Sequence, residues 1–575
     1  MTKHEPIDPT DGIEQGKRLI RVDTDRGISL SQRLAESLQR LTWRTPLHKL
    51  RLRGRFPLKL LAAPDDPVIG DPKTGELLLR GVISFRGEKI AIRELDFRTL
   101  QGSPGLIEYL HSFAWLRDLS TAATRQQAAP VAEAIMSRWL SAHAEKVEGL
   151  AWRADLWGKR ILYWTAHAPL ILSSRDLVYR SAVLNTLARG ARHLDRAADK
   201  APDGIGKVAA WSGLIAAGLL IPGGEPRRAY AEAGLTRALN TVFTEDGGIA
   251  CRSPSTLVEA IALLSLLRAA YEARREEPLP AIEPVLARAI PALLGVTHGD
   301  GGLASWQGGL PLDQLRIAAV VEASQVRARP LRQARDWGYQ RLAGGGTVVT
   351  VDAAPPPASR LAKGGCASTL AFEMSDGPHR LIVSCGGARH EGAYLPSALA
   401  QALRATAAHS TLIVNDANST AILADGSLGR GVAEVAIDRQ ELEGGSRIEA
   451  SHDGYVRRFG LLHRRQLALS VDGRQLTGED MLLPSGRRKA TPGFAIRFHL
   501  APEVEVTLTA DNLGALLRVD GGPLWQFRCK GAALTVEESL WVDASGRPRE
   551  TQQLVVSGES PAGGASVAWL LKRAG

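Results

Sequence analysis

Cysteine is scarce in this chain. Cys251, Cys366, Cys385 and Cys529 are the only four in 575 residues, far apart and with no Cys-x-x-Cys pair. That excludes a disulfide scaffold and a ribbon-type zinc site. No apolar run approaches the roughly 18 uninterrupted residues of a spanning helix. The opening Met1-Thr-Lys-His-Glu-Pro stretch is polar and has no signal core. The expectation is a chain without a transmembrane segment, cytoplasmic by sequence. A phosphate-cradling glycine loop, a Gly-x-Ser-x-Gly elbow and a nucleic-acid module are all missing. The run Gly344-Gly-Gly346 has no Lys-Ser/Thr after it and reads as a linker. Nucleic acid is therefore not an expected partner.

What is present describes an ordinary globular chain, with 44% hydrophobic and 23% charged residues. Its length asks for two large domains rather than one core. The net charge of +10 is unevenly spread. Residues 346–575 hold 24 Lys and Arg against 24 Asp and Glu, which leaves 47 against 37 for the remainder. A basic surface confined to the N-terminal part favours a polyanionic partner. The segment from Arg40 through Trp43, Arg51, Arg53, Arg55 and Lys59 to Leu61 is basic and amphipathic. Burial of its Leu/Trp side against the domain is the expected use, with an anionic membrane surface as the alternative.

From about residue 30 to 335 the apolar residues recur at helical spacing, over 126–146, 152–170, 175–199, 205–220, 225–243, 254–275 and 279–295. Residues 66–103 interrupt this with a strand-like insert, where Leu77–Val82 and Lys89–Ile92 alternate. One internal echo stands out: Thr244-Glu-Asp246-Gly-Gly-Ile249 returns as His298-Gly-Asp300-Gly-Gly-Leu303. A shared turn at that period fits stacked helical hairpins closed into an incomplete toroid. After Gly346 the period becomes that of strands, including Thr347–Val351, Arg380–Val383, Gln466–Val471, Phe494–Phe498 and Val504–Leu508, with Asp-Gly turns between many of them. The expected fold class is multidomain α and β: an N-terminal incomplete (α/α) toroid followed by a C-terminal antiparallel β-sandwich. The expected divisions are 1–104 as an extension, 105–342 as toroid and 347–575 as sandwich.

Two stretches set His, Tyr and Arg beside short strand-like runs: Arg404-Ala-Thr-Ala-Ala-His409-Ser-Thr-Leu, and Ser451-His452-Asp453-Gly-Tyr455-Val-Arg457-Arg458 through His463-Arg464-Arg465. Proton transfer and anion recognition both need that inventory. Together with Trp115-Leu-Arg117-Asp118, Asp246-Gly-Gly…Arg252-Ser-Pro254, Gly478-Glu479-Asp480 and Phe498-His499, they resemble the heparinase II/III family of bacterial polysaccharide lyases. The matches keep the family's order over most of residues 105–505. The resemblance implies a toroid packed on a sandwich, with β-elimination on a uronic-acid-containing glycan held between them. Cell envelope or periplasm is its implied location.

Such a lyase neutralises the uronate carboxylate, removes the neighbouring proton and protonates the leaving oxygen. The candidate catalytic residues are His409 as base, Tyr394 or Tyr455 as acid, and Arg252 on the carboxylate. Candidate substrate contacts are Arg404, His390, Trp211, Asp246 and Asp300. The sequence departs from the family at several of its functional positions. Ser255 and Thr256 follow Arg252-Ser-Pro254 where active lyases place a Tyr, and the family's Asn-His pair is absent around 203–212. Of the zinc ligands the resemblance implies, only His409 is retained. No cofactor is expected, with a Cys366/Cys385/His409 metal site as the alternative. Two other functions remain: a non-catalytic protein binding an acidic polysaccharide or oligosaccharide on the same scaffold, and a toroid glycoside hydrolase using Asp246 and Asp300 as its carboxylates. Arg457, Arg458, Arg464 and Arg465 are expected to pair across strands with Glu479 and Asp480.

Overall fold

The structure is a computed structural model. It describes Ile13 and residues 15–21, 51–52, 54, 57–358, 360–361, 364–387, 395–486 and 491–574. The N-terminal part is a shell of helices around the helix Ile205–Leu220, which is apolar apart from Lys207 and Ser212 and is buried along almost its whole length. Helices Ala154–Ala166, Arg228–Val242 and Pro254–Ala273 surround it. Glycine sets the closest crossing: a Cβ on Gly158 would lie 2.0 Å from the Ala209 carbonyl oxygen, and one on Gly213 2.4 Å from the Gly158 Cα. Trp211 fills the space that Gly234 leaves open, and it is 1% exposed. Its expected role as a sugar platform is thereby corrected, because no face of the indole reaches solvent. Among the described residues no helix is long and apolar enough to cross a membrane.

The insert differs from its expected alternation. Pro72–Leu79 is a helix, and only the hairpin Val82–Phe85 with Glu88–Ala91 is extended. Asp71 caps that helix by accepting from the Lys73 N–H, and Pro72 sits in its first turn. This start signal outweighs the Leu-rich run that follows. Arg117 and Asp118, from the family-like Trp-Leu-Arg-Asp stretch, hold the insert to the shell. Arg117 pairs with buried Asp66 at 2.8 Å, while Asp118 accepts from the Asp71 N–H and the Tyr109 hydroxyl.

The C-terminal part is a pair of antiparallel sheets. One runs, in spatial order, Gly16–Arg21, Glu434–Leu442, Gly445–His452, Leu461–Ser470, Gln475–Pro484, Ala565–Ala574, Leu524–Lys530, Gly514–Val519 and Val504–Leu508. The other runs Ala533–Val542, Pro548–Glu559, Gly493–Leu500, His379–Val383, Phe372–Asp376, Thr347–Asp352, Tyr339–Gly344 and Gln333–Ala334, with Leu412–Val414 paired on Gly493–Leu500. Strict alternation puts one side of several strands into a core rich in Leu, Val and Phe, as in Leu461–Ser470, where every second residue is buried, while Thr347–Asp352 and Phe372–Asp376 are buried on both sides. Sandwich strands thus begin at Gln333, ahead of the change in apolar period. The strand Gly16–Arg21, far away in sequence, also lies at the sandwich edge, and no alternation in its sequence announces it. The basic segment 40–61 falls largely outside the described residues.

Candidate functional site

The two repeated turns fasten the shell to the sandwich. Each closes with a matching bridge, Phe243 with Ile249 and Thr297 with Leu303. In the first, Asp246 accepts from the Asp336 and Trp337 backbone N–H groups, at 2.8 and 3.1 Å. In the second, Asp300 holds Arg380 of the sandwich, with Nε 2.7 Å from Oδ2, and this pairing keeps its carboxyl below the usual range despite partial burial. Both carboxylates are therefore engaged by the sandwich, which leaves neither free for the hydrolase role expected of the pair.

Arg252 makes the third fastening. It holds positive φ, +57°. Its Nε donates to the Trp337 carbonyl at 2.8 Å, Nη1 to the Pro355 carbonyl at 2.9 Å and Nη2 to Asp352 at 2.5 Å. The guanidinium also lies 4.7 Å from the centre of the Tyr339 ring. These partners consume the charge that a substrate carboxylate would need. Asp352 accepts in addition from Ser368 and Gln307. Beside this set, Glu373 accepts from His298 Nε2 at 2.9 Å, the Ser305 N–H at 3.1 Å and the Ser384 N–H at 3.3 Å. Sequence reasoning missed Asp352, Glu373 and His298. For Asp352 and Glu373 the signal was a carboxylate in a short strand beside apolar residues, and for His298 its place in the repeated turn.

His409 follows the short turn Thr406–Ala408 and precedes Leu412–Val414. It is 0% exposed, and among the described residues neither ring nitrogen has a hydrogen-bond partner. Burial pulls its pKa down to about 4, against the weaker opposing fields of Asp352 and Glu373. An imidazole sealed in this way has no route to a sugar, so its assignment as catalytic base is corrected. Arg404 is 1% exposed and spends Nε on the Gly365 carbonyl at 2.8 Å, with neither Nη atom partnered. Tyr455 is buried and donates to the Leu412 carbonyl at 3.0 Å, and burial raises its pKa; it anchors a strand instead of serving as an acid. Tyr394 and His390 lie outside the described residues. Among the described candidates no hydrogen bond or ion pair joins any two.

The alternative metal set does not assemble either. Cys385 Sγ meets His499 Nδ1 at 3.4 Å, Cys366 Sγ turns to the Gly364 carbonyl, and burial pushes both thiols up to about 11. A thiol so hard to ionise is a poor ligand. Among the described residues, no group of three His, Cys, Asp or Glu is placed to hold a metal. Arg465 does pair with Asp480 as expected, whereas Arg464 reaches Glu449 and Glu479 accepts from Ser566. A surface depression of about 580 Å³, lined by Arg268, Glu272, Arg275 and Glu283, lies at the far end of the helix that Arg252 precedes.

The unpartnered imidazole gives a direct test. Replacing His409 by Leu removes two orphaned polar atoms from the interior, so the free energy of unfolding should stay unchanged or rise by about 1–2 kcal/mol. Calorimetric loss of several kcal/mol would mean that the ring holds a partner.

Comparison with known proteins agrees with this architecture. The family described as Heparinase II/III-like, C-terminal matches residues 326–570. Heparinase III shares the fold with a TM-score of 0.67 at 12% identity, over 96% of this chain and 93% of that one. A mutant of heparan sulfate lyase HepC from Pedobacter heparinus gives 0.60 at 14% identity, over 87% and 82%. FtsZ-localized protein C of Caulobacter vibrioides is 31% identical over 564 residues, 92% of each chain. The order of motifs, the toroid-and-sandwich fold and this end-to-end relationship place the chain in the heparinase II/III family.

Proposed function

We propose that this protein is a heparinase-fold protein without lyase chemistry, acting as a binding component of FtsZ-based division machinery. The observation that carries the reading is the 31% identity to an FtsZ-localized protein over 92% of both chains. The interior supports it. His409 and Tyr455 are shut away from solvent, and Arg252 is committed to Asp352 and backbone carbonyls. Proton abstraction from a polymer requires a base within hydrogen-bond reach of the sugar, and none of these residues offers that. Loss of the Tyr and Asn-His positions that the family resemblance implies points the same way. This role fits the cytoplasmic location expected from the sequence. The excess of positive charge in its N-terminal part suits an acidic partner there.

Co-sedimentation with purified FtsZ polymers tests the proposal. The protein should pellet with polymer in a saturable manner and stay in the supernatant without it. In parallel, a panel of uronate polymers followed by ultraviolet absorbance should yield no unsaturated product. If FtsZ leaves the protein behind while a polymer gains that absorbance, β-elimination on an anionic glycan is the function instead. Saturable binding to an acidic glycan without cleavage, and without FtsZ binding, would establish the polysaccharide-binding alternative.

A further inference from the structure

The strand Gly16–Arg21 is held to the sandwich by an unusual balance of forces. It runs antiparallel to Glu434–Leu442 for six residues, from Gly16 opposite Arg439 to Arg21 opposite Glu434. Its side chains add little burial. Only Ile20 packs against the sandwich core, and Leu19 is 47% exposed. A cavity of about 340 Å³, bounded by Gln15, Lys17, Arg18, Gln333, Arg335 and Gln340, lies beside it where a packed strand would fill the space. What the strand contributes is positive charge. Arg18 pairs with Asp336 and Arg21 with Glu434, both at 2.8 Å, and Lys17 stands opposite Asp438. The ion pairs are exposed, and exposed pairs are weak and screened by salt. Ordering six residues opposes a ladder of about the same number of hydrogen bonds.

We propose that Gly16–Arg21 is a detachable strap occupying an acid-lined strand slot on Glu434–Leu442, and that the slot fits a basic extended segment. The inner edge of Glu434–Leu442 is already paired with Gly445–His452. Release of the strap therefore frees one row of backbone N–H and C=O groups, flanked by Glu434, Asp438 and Asp336. An open edge of this kind accepts a new strand. The charges select the incoming sequence, because basic side chains at the Lys17 and Arg21 positions meet Asp438 and Glu434 on one face of the ladder, while one at the Arg18 position meets Asp336 on the other. The strap is thus a resident copy of the ligand, and it keeps the edge closed until a competitor arrives.

Hydrogen exchange on the full chain supplies the first measurement. Amides of Lys17–Arg21 should exchange at least about 100-fold faster than those of the central strand Leu461–Ser470. The second measurement uses the full-length triple variant Lys17→Glu, Arg18→Glu, Arg21→Glu, in which the strap repels its slot. A labelled peptide of sequence GKRLIR should bind this variant at least about tenfold more tightly than the wild type. The binding should weaken in about 0.5 M salt, and GEELIE should not bind. Exchange at Lys17–Arg21 as slow as in the central strand overturns the proposal, even if the variant fails to fold. Equal peptide affinity for variant and wild type, or no binding to a folded variant, also overturns it.

Discussion

Acidification to about pH 5 is expected to unfold this protein, well above the pH at which carboxylate titration alone would do so. Burial lowers the pKa of His111 to about 2, of His499 to about 3 and of His409 to about 4. It also lowers those of His143, His298, His452 and His463. In the unfolded chain each returns to about 6.5. The unfolded state therefore binds more protons below that pH, and stability falls as pH falls. The contribution of these neutral rings is complete above about pH 6.5. By pH 5, His111, His499 and His409 together remove about 6 kcal/mol, at 1.36 kcal/mol per unit for each, and the other four act in the same direction. That loss exceeds the stability of a domain at the lower end of the usual range of about 5–15 kcal/mol, and the four further imidazoles extend it. Asp66 and Asp480, held far below the usual carboxylate range by their Arg and His partners, lose their contribution only at still lower pH. Tryptophan fluorescence against pH should show a cooperative transition between about pH 6 and 5. Calorimetry in buffers of different ionisation enthalpy should report uptake of several protons per molecule. A chain still folded at pH 4.5 would mean that these imidazoles meet water.

Regular elements were far more legible in the sequence than the roles of individual residues. Helix Ile205–Leu220 was readable to the residue because a 16-residue segment whose only polar side chains are Lys207 and Ser212, bounded by Asp-Gly and Pro-Gly, leaves few alternatives. The sandwich strands were readable because burial on one side writes a period of two. The strand Gly16–Arg21 was illegible for the converse reason: backbone pairing holds it, and backbone pairing leaves no mark on the side-chain pattern. The motif residues pointed to real constraints but to the wrong use. Arg252, Tyr455, Asp246 and Asp300 are all specified closely by their surroundings, as catalytic residues would be. A sequence records that a polar side chain is fixed in place. Whether it faces a partner in the interior or a ligand in a cleft depends on neighbours such as Asp352, Glu373 and Arg380, contributed from elsewhere in the chain.

This shift of use is clearest where family-like segments meet inside the sandwich. Gly478 carries no side chain because the Trp569 ring occupies its place, and an added Cβ would lie 2.1 Å from that ring. His499 donates and accepts between Ser539 and the Ala407 carbonyl, at 2.8 and 2.9 Å. Polar groups of this kind fix one arrangement of strands among many that hydrophobic burial alone would permit.

Asp480 should be the most costly single side chain to remove from the sandwich. Its Oδ1 accepts from His463 Nε2 and Arg465 Nε, both at 2.8 Å, and its Oδ2 from Trp569 Nε1 at 2.9 Å and Arg465 Nη2 at 3.1 Å. The protons along this chain are fixed in direction. The Gly454 N–H donates to His452 Nδ1, so neutral His452 carries its proton on Nε2 and donates to His463 Nδ1 at 3.2 Å. His463 must then donate from Nε2 to Asp480. Asp480→Ala orphans a buried guanidinium, an imidazole N–H and an indole N–H at once, and should cost about 3–5 kcal/mol. Asp480→Asn should cost nearly as much, because whichever way the amide turns its NH₂ faces two N–H donors. Glu479→Ala, one residue away on the solvent side, should change stability by less than about 0.5 kcal/mol. Denaturant unfolding of the three variants checks this. If Asp480→Asn proves as stable as the wild type, one of the imidazoles carries its proton on the other nitrogen and the directional chain is wrong.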